Sequence, residues 1–238
     1  MIKAERIQKK FGGLHVLKGV DAHFESGQVI SVIGPNGSGK TTLIKSVLGM
    51  VVPDSGKLYF DGKDISHDYT YRKHIGYMPQ IGRYPENMQI GQLVSMMKDI
   101  RKADKIVLDD ELVQAFNLSS MFTKAMRTLS GGTTQKVSAS LAFMFNPRVL
   151  ILDEPTAGLD PLAAELLKAK ILKAKSEGKL IIITSHIMSE VEEMADKVMY
   201  LYEGRVNFYK TINALKQETG EEKLGKAIAH IMKNQVHA

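Results

Sequence analysis

The sequence predicts an α/β fold: a mostly parallel sheet covered by helices, with an N-terminal antiparallel β subdomain and an inserted helical subdomain. Three observations carry that reading. The runs QVISVIG, RVLILD and KLIIITS are short, continuous and apolar, as strands buried on both faces are, and each leads into a stretch with helical spacing. The first twenty-five residues instead alternate apolar and polar, the mark of antiparallel strands with one wet face. From about Pro85 to Phe145 the pattern is almost wholly helical.

In chain order, IKAERIQ and HVLKGVDAHF pair around the FGG turn. QVISVIG is the first buried strand, and KTTLIKSVLGM its helix. GKLYFDGKDI reads as a second hairpin, with Asp61-Gly62 at a two-residue turn. The helical insert has three pieces: QIGQLVSMMKDIRK, DKIVLDDELVQAFNL and the helix after Gly131-Gly132. RVLILD and KLIIITS return to the sheet, and KVMYLYEGRVNFY closes the body as a last hairpin. TGEEKLGKAIAHIMK follows as one amphipathic helix. Thr219 and Glu222 have capping-box spacing, and Leu224, Ile228 and Ile231 share a face. The expected division is an α/β core of 1–84 and 147–210, a helical subdomain of 85–146 and a tail of 211–238.

The 238 residues are 44% hydrophobic and 24% charged, ordinary for a soluble domain. No apolar run reaches the ~18 residues of a membrane span. MIKAERIQKK is too polar for a signal peptide, so a cytoplasmic place without membrane insertion is expected. The absence of cysteine excludes disulfides and thiolate metal sites. The net charge of +6 does not spell a nucleic-acid groove. Residues 1–20 hold five Lys/Arg against one acid, residues 210–238 five against three, and the body between is neutral. Charge at the ends of a chain is a solvated surface or a weak attraction to anionic lipid.

GPNGSGKTT, from Gly34 to Thr42, follows a buried strand, opens a helix and fits GxxxxGK[ST] at Gly34, Gly39, Lys40 and Thr41. The glycines let the backbone wrap a polyphosphate with its N–H groups inward, around Pro35, Asn36, Gly37 and Ser38. The helix N-terminus adds positive partial charge, Lys40 reaches the β- and γ-phosphates, and the Thr41 hydroxyl ligates Mg²⁺. This marks a P-loop NTPase core. VLILDE ends a second buried strand in Asp153 and Glu154. Ligands bind beyond the carboxyl ends of such strands, which places Asp153 to hold magnesium through water. Strand alternation turns Glu154 another way, either to serve a water lined up on the γ-phosphate or only to cap the turn before Pro155. His186 lies just past KLIIITS, where a histidine taken alone is more often structural.

LSGGTTQ (Leu129 to Gln135) contains no carboxylate, imidazole or thiol, yet puts Ser130 and two glycines at the mouth of a helix. A helix interior would lose about 1 kcal/mol per glycine relative to alanine. These motifs, in this order, resemble the nucleotide-binding subunit of ATP-binding-cassette (ABC) transporters. GPNGSGKT resembles the Walker A loop, Gln80 in YMPQ the Q-loop, and LSGGTTQ the family signature. LILDEP resembles Walker B, AGLD (Ala157 to Asp160) the D-loop, and His186 the switch histidine. The motifs span residues 11–186, and flanking strands extend the likeness to about 210.

The resemblance implies MgATP hydrolysis by a head-to-tail homodimer bound to a multi-span permease, at the inner face of the cytoplasmic membrane. Each signature then clamps the γ-phosphate held by the opposite Walker A loop, through Ser130 and the bare N–H groups of Gly131 and Gly132. By the same resemblance Phe11 stacks on adenine and Val16 lies beside the sugar. Gln80 joins Thr41 and Asp153 at Mg²⁺ and touches the attacking water. His186 binds the γ-phosphate, and Gln135 and Asp160 belong to the signature and D-loop. Thr133 and Lys136 stand where the family commonly has Gln and Arg, both outside the Ser-Gly-Gly clamp.

The interval between Walker A and the signature has no long coiled coil, unlike DNA-repair relatives, and the single cassette differs from fused translation factors. A nucleotide sensor that binds ATP without turning it over is the remaining rival. The compact build resembles exporter-type ATPases. IGYMPQIGRYPENM, LAFMFNP and the short tail resemble the ATPases of nitrous-oxide reductase maturation, which implies copper-site assembly. Antibiotic, lipid and gliding-machinery exporters have similar build. Met88, Met96 and Met97 fall at helical spacing beside apolar residues, so packing or a partner groove is expected of them and not copper ligation. With Tyr84 and Pro85, Met88 is expected to line a groove for a permease helix. The tail is expected to pack on the body, so that removing 221–238 lowers stability and spares hydrolysis.

Overall fold

The computed structural model describes residues 1–102 and 107–236, with side chains to Lys233. The chain divides into two compact units, Met1–Tyr71 with Ile182–Ala238, and Arg72–Ile181. In the first, β1 (Ile2–Phe11) and β2 (Leu14–Phe24) form the expected hairpin, Ile2 opposite Phe24 and Phe11 opposite Leu14. Ile2, Ala4 and Ile7 are buried, while Lys3 and Gln8 face water. The register slips between Ala4 and Ile7, where Arg6 adopts φ 48, a bulge that keeps both apolar sets inward. β3 (Val29–Ile33) is buried at all five positions, and α1 (Lys40–Val47) follows the glycine-rich loop. β4 (Ser55–Phe60) and β5 (Lys63–Asp64) meet across Asp61 (φ 49) and Gly62 (φ 78), both left-handed, as a two-residue hairpin turn requires. β4 also pairs antiparallel with β1, giving the order β2-β1-β4-β5.

The second unit opens on β6 (Ile75–Met78), a strand absent from the sequence reading. Four residues with a glycine among them give no alternation to read. The glycine is needed for packing: a Cβ on Gly76 would lie 2.0 Å from the Ala142 carbonyl oxygen. The helical insert is less continuous than expected. α2 (Ile90–Arg101) matches, but α3 is only Glu111–Ala115, and Leu118–Met121 and Met126–Thr128 are single 3-10 turns. The expected helix 104–118 fails at its start because residues 107–110 are irregular, and at its end because Asn117 turns left-handed at φ 51. Its first residues, Asp104 to Ile106, lie outside the described residues. α4 (Gly131–Phe143), β7 (Val149–Asp153) and α5 (Pro161–Ser176) follow, with β6 and β7 parallel. Lys170, 4% exposed at its side chain, is paired with Asp109 at 2.6 Å and Glu111 at 2.7 Å, which ties the approach of α3 to α5. The strand order in this unit is β8-β7-β6, where β8 (Leu180–Thr184) passes into the first unit after Ile181.

Back in the first unit come α6 (Met188–Met194), β9 (Lys197–Tyr202) and β10 (Arg205–Thr211). β9 is parallel to β3 and antiparallel to β10, and the order is β10-β9-β3-β8. The tail is two helices instead of one, α7 (Ile212–Thr219) and α8 (Leu224–Val236). The expected capping box does not form. Thr219 closes α7, its hydroxyl donating to the Leu215 carbonyl at 2.8 Å, and Gly220 at φ 69 ends that helix. Leu224, Ala227 and Ile228 are buried against Val191, Tyr200 and Phe208, as the apolar face predicts. No described helix is long and apolar enough to cross a membrane.

Candidate functional site

In the first unit the site is the loop between β3 and α1. Gly34 has φ 148, and a Cβ there would lie 2.1 Å from the Leu201 carbonyl oxygen and 2.9 Å from Ser38 Oγ. Gly39 has φ 105, and a Cβ there would meet Leu17 Cδ2 at 2.8 Å and the Val16 carbonyl at 3.0 Å. The loop is thus pressed by β2 on one side and β9 on the other, and both glycines are obligatory. Lys40 Nζ donates to the carbonyls of Gly34 (2.7 Å) and Pro35 (3.0 Å), which folds its ammonium over the loop. Ser38 Oγ is buried with no hydrogen-bond partner, while Ser38 O accepts from Gly204 N at 3.0 Å. Pro35, Asn36, Gly37 and Thr41 are exposed, and Thr42 is half-buried.

An orphaned buried hydroxyl in a glycine loop that opens a helix fits a polyphosphate. The donors assigned to magnesium (Thr41, Gln80 and Asp153) are hard oxygens, and such a cation commonly keeps substrate phosphates and water as further ligands. Among the described residues no three His, Cys, Asp or Glu side chains cluster as a metal site. Phe11 is 50% exposed at the end of β1, with Lys9 Nζ over its ring at 5.4 Å from the centroid, a contact that a stacked base would have to share or displace. Val16 is half-buried, and His186 is exposed just beyond β8.

In the second unit Asp153 ends β7 and is 9% exposed, and Gln80 is exposed beyond β6. Glu154 is redirected by its backbone, not by strand alternation: its φ is 51, a left-handed conformation uncommon for glutamate. Its carbonyl accepts from Ala157 N at 3.1 Å and from Gln135 Nε2 at 3.3 Å, contacts that hold the turn. Gln135 is only 5% exposed, so its amide supports the Glu154 turn. Sequence spacing did not reveal that contact, because nineteen residues separate the partners.

Ser130 caps α4, its Oγ accepting from Thr133 N at 3.2 Å. Thr133 Oγ1 lies 2.9 Å from Ser130 Oγ, so the residue expected to lie outside the Ser-Gly-Gly stretch touches its hydroxyl. The two glycines differ in purpose. Nothing lies within 4 Å of a Cβ on Gly131, whereas one on Gly132 would lie 2.6 Å from the Gly158 carbonyl oxygen. Gly132 therefore serves close packing inside its own chain, and Gly131 keeps an open backbone face. Leu129 is half-buried at the end of the preceding 3-10 turn. Lys136 pairs with Asp160 at 2.6 Å, and Asp160 also caps α5 by accepting from Ala163 N at 2.9 Å. The Lys136 ammonium and then the Ala163 N–H hold the Asp160 carboxyl below its ordinary value.

Beside β6 the same unit has a cleft of about 250 Å³ lined by Arg83, Tyr84, Met97, Arg101 and Phe145 among others. Arg101 donates to the Lys73 carbonyl at 2.7 Å and lies over the Phe145 ring at 5.2 Å. Tyr84 belongs to this cleft as expected. Pro85 and Met88 do not line it: Pro85 is exposed, and Met88 is half-buried with its carbonyl accepting from Met126 N at 2.9 Å.

A glycine cradle before a helix, a strand ending in Asp-Glu and a serine-capped, glycine-mouthed helix together define an ATP-binding cassette. The family model for ABC transporters matches residues 17–157, and the chain belongs to that family. Among relatives, the lantibiotic transport ATP-binding protein SrtF of Streptococcus pyogenes is 32% identical, covering 87% of this chain and 89% of its own. The lipopolysaccharide export system ATP-binding protein LptB of Haemophilus influenzae is 30% identical over 87% of this chain and 88% of its own. A solved ATP-binding subunit of an ABC transporter superposes with a TM-score of 0.89 at 25% identity, covering 98% of this chain and 99% of that one.

Proposed function

We propose that this chain is the ATP-hydrolysing subunit of an exporter-type ABC transporter, acting as a head-to-tail homodimer beneath a separate multi-span permease. One observation carries the reading. The signature presents an exposed, capped Ser130 and an open Gly131 backbone face, with no reactive group of its own to serve. Such a surface completes a phosphate site held by a second copy.

Lys40 exchanges the Gly34 and Pro35 carbonyls for phosphate oxygens, a swap between charge-assisted contacts. Backbone N–H groups from Gly34 to Thr42 hold the polyphosphate, Phe11 stacks on the base, and Val16 flanks the sugar. Thr41, Asp153 and Gln80 hold Mg²⁺, which supplies charge neutralisation at the phosphates. Glu154 takes a proton from the water that attacks the γ-phosphorus, the bond to the β-bridging oxygen breaks, and ADP leaves. His186 contacts the γ-phosphate, and the helical subdomain of 85–146 brings Ser130 to the partner's nucleotide.

Steady-state turnover tests this reading. Purified chain is expected to release phosphate from ATP, and to lose that activity when magnesium is chelated. Tight ATP binding without turnover would establish a nucleotide sensor instead.

For the permease, the cleft beside β6 supports a contact in which one or two side chains of a short cytoplasmic helix enter between Arg83, Tyr84 and Met97. Tyr84→Asp combined with Arg83→Glu is expected to cut co-sedimentation with permease-containing vesicles at least about tenfold, the loss of one anchor contact. Unchanged co-sedimentation removes the contact. A chain held by such a contact sits at the inner face of the cytoplasmic membrane without insertion.

The names of SrtF and LptB support an antibiotic-like or lipid cargo. The runs IGYMPQIGRYPENM and LAFMFNP support a second reading, copper-site assembly for nitrous-oxide reductase. Affinity isolation from membranes separates the two by the permease and periplasmic protein recovered.

A further inference from the structure

α6 starts two residues after His186 and has only seven residues, too few to persist as a helix without tertiary support. That support comes from the tail. Val191 is fully buried and Met188 partly so, both against the cluster that contains Leu224, Ala227 and Ile228. Gly225 lies directly over Met188, with a built Cβ 3.6 Å from Met188 Cβ. At the centre is Glu192. One carboxylate oxygen is paired with Lys216 of α7, and the other accepts from the Leu224 N–H of α8 at 3.1 Å. The first N–H of α8 is thus capped by a side chain from another helix, in favourable polarity for an anion. Lys216 and then the Leu224 N–H hold the Glu192 carboxyl below its ordinary value, so the clasp is charged at neutral pH. The break at Gly220 (φ 69) lets both tail helices reach the same carboxylate.

We propose that Glu192 is a positioning residue for His186: by clasping α7 and α8 it holds α6, and the tail thereby sets the rate of ATP hydrolysis. This rests on the assignment of His186 to the γ-phosphate. It also reverses the expectation that the tail can be removed without cost to turnover. A misplacement of about 1 Å at a reacting group is worth as much as 10²-fold, and a loosened helix one turn away transmits part of that.

The test compares Glu192→Ala, Glu192→Gln, His186→Ala and the Glu192→Ala/His186→Ala double variant. Turnover is taken per folded molecule, with the folded fraction measured by circular dichroism. Glu192→Ala is expected to lower kcat roughly tenfold with the KM for MgATP little changed. Glu192→Gln, which keeps an acceptor for Leu224 N–H, recovers part of the loss. The double variant is no slower than His186→Ala alone, because both changes act on one group. If Glu192→Ala does not fold, Lys216→Met removes half of the clasp and leaves the α8 cap, and a drop in its kcat at constant KM is expected. Wild-type kcat in the folded Glu192 or Lys216 variants would overturn the proposal, as would independent multiplication of the two losses in the double variant. If His186→Ala itself turns over like wild type, the role of His186 falls, and the clasp proposal with it. A slow His186→Ala beside a fast Glu192→Ala removes the clasp alone.

Discussion

Glu154→Gln is expected to keep nucleotide binding and slow MgATP hydrolysis by a factor of about 10²–10⁴, the usual worth of a positioned general base. The substitution is nearly isosteric, and the backbone that aims the side chain is braced through the main-chain carbonyl. The left-handed turn at φ 51 is held through the Glu154 carbonyl by Ala157 N and Gln135 Nε2. Such a conformation costs on the order of 1–3 kcal/mol and persists where the surroundings over-determine it, so glutamine is expected to keep the turn and lose proton acceptance. Single-turnover hydrolysis with bound radiolabelled ATP reads the effect directly. Turnover at the wild-type rate would show that Glu154 merely caps the turn before Pro155.

Mixing two inactive variants is expected to restore activity. Lys40→Ala removes the loop ammonium, and Ser130→Arg crowds the clamp. Each lesion, present twice in a homodimer, disables both sites. In a mixed dimer both lesions fall in one site, and the other pairs intact Lys40 with intact Ser130. With random exchange about half of the dimers are mixed, each with a single working site. Recovery is therefore partial, against a background near zero in either variant alone. The open space around Gly131 leaves room for the arginine, and loss of the Ser130 cap costs only about 1 kcal/mol, so both chains should fold. ATP-dependent dimer closure by light scattering, together with phosphate release, reads the result. A mixture as inert as its components, after verified subunit exchange, would place the signature in cis and exclude the head-to-tail dimer.

Both experiments rest on residues named by local pattern. The phosphate loop, the buried strands before and after it, the Asp-Glu pair, the serine-glycine helix mouth and the Asp61-Gly62 hairpin are contiguous stretches. Their spacing encodes backbone geometry within one turn or one strand, and the structure has Gly34 and Gly39 at positive φ, Ser130 capping α4 and a left-handed turn at Asp61-Gly62. Contacts between residues distant in sequence decided the rest. The direction of Glu154 depends on a left-handed turn braced by Gln135, nineteen residues earlier. Gly132 answers to the Gly158 carbonyl and Lys136 to Asp160, neither visible from the signature itself. β6 exists because parallel pairing with β7 stabilises four residues whose own pattern is silent. The tail breaks at the left-handed Gly220, and contacts from both of its helices converge on Glu192, more than twenty residues earlier. Local spacing determined the glycine loop, the Asp-Glu strand end and the serine-capped helix mouth; packing and long-range hydrogen bonds determined where their side chains point, because burial and unsatisfied polar groups are settled only when distant segments meet.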